Sequence, residues 1–413
     1  MCSIQTPTVQ LAHRTKLFPN KAQEAYFRKA CGTRRFAYNW ALAAWNAKYQ
    51  AGETGMSGYS LRKEWDSIRH QEFPWTDEVT KWSGQKAIQD LGEAFTRFFK
   101  KTAQHPTFKK KGKSRESFYL GLNHFSVAGN KLRVPKLGFV KMAETVRFPG
   151  KAKSVTISSE AGEWFVSISV DVDPAWEYKH KCQSPDSACG IDLGLKDLAT
   201  IFNGTEVTKI ENQKPYRSQE RKTKRLHRSI SRKKKGSSRR WRAKRALAKH
   251  TRKIARRRSY HTHKLTSSVV KRFSLVGIET LNVKGMAKTK LAKSVHDASF
   301  GEIVRQLEYK AELAGGQIAK ADRWFPSSKL CSSCGTKKDK LSLAERDWTC
   351  PACGTEHDRD GNAAKNLYSF ARRHRENLNA CGGGVRPKEC SALEATSCEA
   401  GIGTRAANRK LAV

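Results

Sequence analysis

Cys331-Ser-Ser-Cys334-Gly335 and Cys350-Pro-Ala-Cys353-Gly354 run into His357-Asp358-Arg359-Asp360-Gly361-Asn362-Ala363-Ala364. Two residues separate the thiols of each pair and fifteen separate the pairs, the spacing at which two tight turns close a tetrahedral thiolate cage on zinc. The glycine after each second cysteine fits, because each knuckle needs a backbone that turns sharply and aims amides at sulfur. Four cysteines leave no open coordination position, so this zinc folds the segment and any chemistry must come from elsewhere. Directly downstream, Asp358 to Leu367 reads as a helix start with an acid at its N-cap or in its first turn.

Upstream, two apolar strands are each broken by one acid. In Ala188-Cys-Gly190-Ile191-Asp192-Leu193-Gly194 the interrupting residue is Asp192, and in Leu275-Val-Gly277-Ile278-Glu279-Thr-Leu281 it is Glu279. Acids are depleted in strands and costly when buried unpaired, so each needs a compensating partner such as a metal ion. Two such strands and a helix-start acid can converge at the strand ends of a mixed α/β sheet. Three carboxylates there would hold two divalent ions about 4 Å apart, the arrangement used for in-line phosphodiester hydrolysis. Asp192 would bridge both ions, and their hard oxygen ligands suit magnesium or manganese rather than zinc.

Between the two strands, residues 221–258 hold twenty Lys or Arg and no Asp or Glu. This predicts one or two basic helices joined near Lys235-Gly236-Ser237, without the acids a self-neutralised surface helix would carry, lying along a phosphate backbone. Helical spacing continues from Leu265 to Phe273 and returns over Phe300–Ala314. Gly315-Gly316 then stops it before a strand over Gln317–Ala321.

The N-terminal half has another pattern. Val9 to Phe18 reads as extended, and Pro19-Asn20 then offers an N-cap. Phe36, Trp40, Ala44 and Ala47 recur at helical spacing, as do Ala87, Leu91, Phe95 and Phe98; these aromatics read as core rather than as a base-stacking surface. After a basic linker over 100–115 the period becomes two. Trp164, Val166, Ile168 and Val170 should pair across Glu160-Ala161-Gly162 with Val155 and Ile157. Together with Lys131 to Val140 they predict a small antiparallel barrel or sheet, interrupted in sequence by helices over 20–105.

The 413-residue chain carries 80 Lys plus Arg against 38 Asp plus Glu, a formal charge of +42 that implies a polyanionic partner, with nucleic acid first. It contains no run of eighteen apolar residues, and Met1 to Arg14 lacks the apolar centre of a signal peptide, so membrane and secreted classes are disfavoured. The seven cysteines outside the two pairs show no framework spacing, which fits a reducing compartment.

Gly190-Ile191-Asp192-Leu193-Gly194, Gly277-Ile278-Glu279, the paired Cys-x-x-Cys-Gly and Asp358-Arg359-Asp360-x-Asn362-Ala363-Ala364 occur in an order that resembles the TnpB family. These are RNA-guided DNA endonucleases of insertion sequences, related to type V CRISPR effectors. The resemblance implies an α/β RNase H-like (RuvC) nuclease domain over 186–325 and 355–375 with an inserted zinc ribbon over 326–354. It further implies an N-terminal wedge-type β-barrel over 1–19 and 116–185, a helical recognition domain inserted over 20–115, and a disordered tail over 376–413. It carries the catalytic, magnesium-binding roles to Asp192, Glu279 and Asp360, the last chosen over Asp358 because the family's acid directly precedes x-Asn-Ala-Ala. Zinc goes to Cys331, Cys334, Cys350 and Cys353. The partners implied are a guide RNA from the transposon end, target double-stranded DNA beside a short adjacent motif, and a separate transposase in the same element; the setting is a prokaryotic cytoplasm, at the nucleoid. Two rival readings remain at this level. One is an RNase H-like transposase performing strand transfer with the same acids, and the other a non-catalytic nucleic-acid-binding regulator.

Overall fold

In the computed structural model, residues 9–173, 176, 182, 184, 186–342, 345–382 and 411–412 are described. The chain divides into two compact units, Met1–Trp176 with Arg405–Val413, and Glu177–Thr404.

The first unit opens with β1 (Gln10–Phe18), whose alternate residues Leu11, His13, Thr15 and Leu17 are buried. Asn20 caps α1 (Lys21–Gln50) as expected: its side chain accepts from the Gln23 amide while Gln23 reaches back to the Asn20 amide. Then follow α2 (Gly58–Glu72), α3 (Trp82–Phe99), β2 (Ser117–Leu120), β3 (Ser126–Ala128), β4 (Lys131–Val134), β5 (Gly138–Met142), β6 (Gly150–Glu160) and β7 (Glu163–Val172). The strands form one sheet in the order β2-β6-β7-β1-β5-β4-β3, with the three helices intervening in sequence between β1 and β2. The β6–β7 hairpin has the expected register, Val155 opposite Ile168 and Ile157 opposite Val166. Of the expected helical stripe, Ala87, Leu91 and Phe95 are buried, Phe36, Trp40, Ala44 and Phe98 are half-buried against that core and Ala47 is exposed, because α1 turns Ala37, Tyr38, Ala41, Leu42 and Trp45 inward instead. Trp45 stacks on Phe95 at 4.0 Å and Trp40 lies 5.3 Å from buried Trp65.

The second unit contains β8 (Ala188–Asp192), β9 (Asp197–Phe202), β10 (Val207–Glu211), α4 (Glu220–Ser231), α5 (Ser238–Arg272), β11 (Leu275–Glu279), α6 (Val283–Met286), α7 (Ala292–Ala298), α8 (Phe300–Ala314), β12 (Gln317–Ala321), β13 (Asp347–Thr349), β14 (Glu356–Asp358) and α9 (Arg359–Gly382). Its five-stranded sheet runs β10-β9-β8-β11-β12. The β8–β11 and β11–β12 pairs are parallel and the others antiparallel, so the sheet is mixed. The basic segment is two helices joined at Gly236, as its composition predicts. Buried Lys310 of α8 fixes that helix to α5 by donating to Thr266 Oγ1 (2.7 Å) and Ser267 Oγ (2.9 Å).

One boundary needs correction. The expected tail begins at 376, but α9 continues to Gly382, and the run Gly382-Gly383-Gly384 is the first strong helix-breaking signal. The rest of that tail lies outside the described residues except for β15 (Leu411–Ala412), which pairs parallel with β1.

Helix α9 lies directly on β8 and β11. A Cβ on Gly190 would meet the Ala364 carbonyl oxygen at 2.0 Å, and one on Gly277 would meet that of Leu367 at 2.2 Å. Ala364, Leu367 and Ala371 are fully buried in this contact. Gly277→Ala should therefore lose about 1–3 kcal/mol through overpacking. The readout is a lowered denaturant midpoint with unchanged slope.

Candidate active site and metal centre

Register brings the two strand acids together. Gly190 pairs with Gly277 and Ile191 with Ile278, so Asp192 and Glu279 occupy the same level at neighbouring strand ends. Since strand side chains alternate, each acid shares a face with the glycine two residues earlier, the face covered by α9. Asp358 caps that helix, its Oδ2 accepting the Gly361 amide at 2.9 Å, and pairs with Lys209 at 3.0 Å. Asp360 sits in the first turn, held by the Arg346 guanidinium at 3.2 Å.

Asp360 and Glu279 both lie near enough to act on Asp192. Burial, the charges of Asp360 and Glu279, and a weaker opposing pull from Arg359 place the Asp192 pKa at about 7 instead of 3.8. Burial likewise raises Glu279. Asp192 and Glu279 form no side-chain ion pair among the described residues. The oxygen donors are of the type a hard divalent cation takes, but among the described residues only the four cysteines bring three or more such ligand atoms within 4.8 Å of one another, so the carboxylates are neighbours without closing on one ion position.

The four cysteines also converge, with ligand atoms all within 4.8 Å of one another. Cys331 Sγ lies 3.7 Å from Cys353 Sγ and Cys334 Sγ 3.5 Å from Cys350 Sγ. A tetrahedron with metal–sulfur bonds of about 2.3 Å has edges of about 3.8 Å, so the cage fits. The two knuckles repeat one design: the Cys331 amide donates to Thr336 O and that of Gly335 to Cys331 O, matched by Cys350 with Thr355 and Gly354 with Cys350. Gly335 and Gly354 have φ of +77° and +69°, the left-handed backbone that favours glycine. The Thr336 hydroxyl, 3.3 Å from Cys334 Sγ, contributes most to drawing that thiol down to about 6, toward the thiolate a metal needs.

Family models match three stretches of the chain. Residues 155–290 match a family described as "Probable transposase", residues 300–367 one described as "Cas12f1-like, TNB domain", and residues 8–54 one described as "Helix-turn-helix domain". A Streptomyces pristinaespiralis protein named "Putative RNA-guided DNA endonuclease" is 34% identical over 391 residues, spanning 92% of this chain and 93% of its own. The chain belongs to the TnpB family. An Escherichia coli K12 relative, "Putative RNA-guided DNA endonuclease InsQ", is 28% identical over 377 residues, 87% of this chain and 91% of that one. The chain also shares its fold with the protein in a cryo-EM structure of a Cas12f1-sgRNA-target DNA complex, at a TM-score of 0.52 and 15% identity, over 84% of this chain and 83% of that one. The helix-turn-helix description does not fit the observed fold, because residues 8–54 contain β1 and one thirty-residue helix.

Within this TnpB chain, the cysteine segment is tied to α9 by residues whose roles the sequence did not announce. Asn362 Nδ2 donates to Leu330 O (2.7 Å) and its Oδ1 accepts the Ser332 amide (3.0 Å). Asn366 Nδ2 donates to Ser327 O (2.8 Å) and Leu330 O (2.6 Å). Buried His357 places Nε2 3.0 Å from Cys331 Sγ and leans on Trp348, with centroids 4.8 Å apart. Arg346 was also missed. It precedes β13 and reaches Asp360 only because β13 pairs with β14 beside the start of α9. The repeated asparagines at helical spacing were the one available signal.

Two outcomes follow from this geometry. Metal analysis should find one ion held by the cysteines per chain, and Cys350→Ser should lose it and lower the melting temperature. Asp192 sets a pH dependence. Because its folded pKa is raised, its cost to stability is absent below the unfolded value of 3.8 and fully present above about 7. A cation binding this carboxylate displaces its proton, so calorimetry in buffers of differing ionisation enthalpy should record proton release near pH 6 and little above about pH 8.

Proposed function

We propose that this TnpB protein is an RNA-guided DNA endonuclease that binds a transposon-derived guide RNA and hydrolyses target double-stranded DNA beside a short adjacent motif. The observation that carries the reading is that Glu279 and Asp360, drawn from two other segments, both act on the buried Asp192, in a chain whose relatives bear that activity in their names. An acid cluster at the end of a mixed sheet suits phosphodiester chemistry, and the excess of 42 positive charges suits the two nucleic acids.

Asp192, Glu279 and Asp360 would hold magnesium or manganese, which when bound supplies a polarised water and neutralises charge on the phosphate. The protein's own part is to set Asp192 and Glu279 at one level on neighbouring strand ends, with Asp360 acting on Asp192 from the start of α9, and to keep Asp192 without a cationic side chain of its own. Arg346 and Arg359 supply positive charge beside the acids. Cys331, Cys334, Cys350 and Cys353 hold zinc in this reading, with a structural role. Residues 1–19 and 116–185 serve as the wedge-type β-barrel domain in this reading, and 20–115 as the recognition helices. Basic α4 and α5 run along a phosphate backbone. A separate transposase acts in the same element. No helix among the described residues is long and apolar enough to cross a membrane.

The test is to purify the protein from cells expressing the flanking transposon-end RNA, sequence the RNA that copurifies, and offer DNA matching its 3′ end with magnesium. A discrete RNA and matched double-strand cleavage are expected, with cleavage abolished by Asp192→Ala while the RNA stays bound. Joining of transposon ends without a guide would favour the transposase reading. Nucleic-acid-dependent activity untouched by Asp192→Ala would favour the non-catalytic one.

A further inference from the structure

Beyond the acids, the same sheet edge carries an aromatic side chain that folding does not use. Glu279 pairs with Ala321 at the ends of β11 and β12, and Thr280 locks the junction by donating to Ala321 O from its amide (3.2 Å) and its hydroxyl (2.8 Å). From there the chain makes one tight turn, Asp322-Arg323-Trp324-Phe325. Asp322 Oδ1 accepts the Trp324 amide at 2.9 Å, and Asp322 O accepts that of Phe325 at 3.0 Å. Phe325 turns inward against Phe370, with centroids 5.5 Å apart, and Ser327 O is held by Asn366. The turn is thus pinned at both ends.

Trp324 turns outward. It is 79% exposed, the most exposed of the large hydrophobic side chains among the described residues, and its only ring partner there is the Arg323 guanidinium, 4.9 Å from its centroid. An indole left in water on a rigid turn adds little to stability. Such a ring backed by a cation suits an unpaired nucleobase, whose face stacks on it while the guanidinium meets the neighbouring phosphate.

We propose that Trp324 is the stacking platform for one unpaired base of the DNA strand being cut, setting that strand's register over Asp192, Glu279 and Asp360. The assignment rests on the endonuclease reading. It specifies DNA rather than guide RNA because the turn is bonded to the strand end that bears Glu279. Stacking here fixes which phosphate reaches the carboxylates, so its loss affects cutting and not loading of the guide.

The test uses the protein–RNA complex and matched duplexes in which one nucleotide at a time around the cut site is abasic, with single-turnover cleavage compared for wild type, Trp324→Ala and Trp324→Phe. Trp324→Ala should slow cleavage about tenfold or more. Trp324→Phe should recover most of the rate, and both variants should keep wild-type melting temperature and RNA content. At one position the abasic nucleotide should slow the wild type by a similar factor and Trp324→Ala hardly at all; elsewhere the two losses should multiply. Unchanged cleavage by Trp324→Ala, or losses that multiply at every position, would overturn the assignment. A wild-type complex that cuts no matched DNA would overturn the endonuclease reading itself, a failure visible before any variant is compared.

Discussion

The backbone-to-backbone approach of α9 to β8 and β11 is the constraint on which the rest of the second unit depends. Strand side chains alternate with period two, so a glycine two residues before an acid opens the very face on which that acid lies. At Gly190 and Gly277 the opening is filled by carbonyl oxygens of α9, leaving no room for even a methyl group. Glycine in a strand costs about 0.5–1 kcal/mol in chain entropy, and burial of Ala364, Leu367 and Ala371 offsets it. The Gly-Ile-acid strands and the Asn-Ala-Ala helix are therefore two halves of one packing solution. Its consequence is that the first turn of α9, with Asp360, begins beside Asp192 and Glu279.

Packing alone fixes the height of α9 above the sheet but not its position along its own axis. The cysteine segment supplies that second constraint. Asn362 and Asn366, one helical turn apart, clamp the backbone at Ser327, Leu330 and Ser332 on the approach to Cys331 and just past it, and His357 meets the Cys331 sulfur from the strand just before the helix. A metal in the cage would stiffen both knuckles at once, so its folding energy would be spent next to the helix start that carries Asp360. This explains why a site with no open coordination position interrupts the chain between the second and third acids.

Much of this was legible because its determinants are local. Gly315 stops α8, Asn20 caps α1, alternation marks β7, and the paired cysteines announce their cage from spacing alone. What could not be read depends on partners distant in sequence or on the absence of a pattern. Strand β10 buries almost nothing, so it lacks the alternation that would betray it. The Arg346–Asp360 pair exists only once β13 and β14 pair, and Trp324 reads in sequence as one more aromatic before the cysteines until its exposure is seen. The extension of α9 past 375 was missed for a different reason: Glu376-Asn-Leu-Asn-Ala380 is too short and too mixed to show a period, so it is compatible with both helix and tail, and only the glycine run decides.

The electrostatics of the acid cluster separate its members. Asp358 has Lys209 and the N-terminal amides of α9, and Asp360 has Arg346, so each is partly neutralised by the protein. Asp192 is buried and feels both fellow acids, opposed by the Arg359 charge and a hydrogen bond at the Leu193 backbone, and its proton is retained to about pH 7. Moving a lysine or arginine into contact with Asp192 would relieve that repulsion, yet in a chain carrying 80 such residues none forms an ion pair with it among the described residues. Leaving one carboxylate uncompensated costs stability in the cation-free protein and keeps its oxygens available. The positive charge that is withheld from Asp192 is the charge an incoming divalent ion would contribute, and this links the instability of the site to its chemistry.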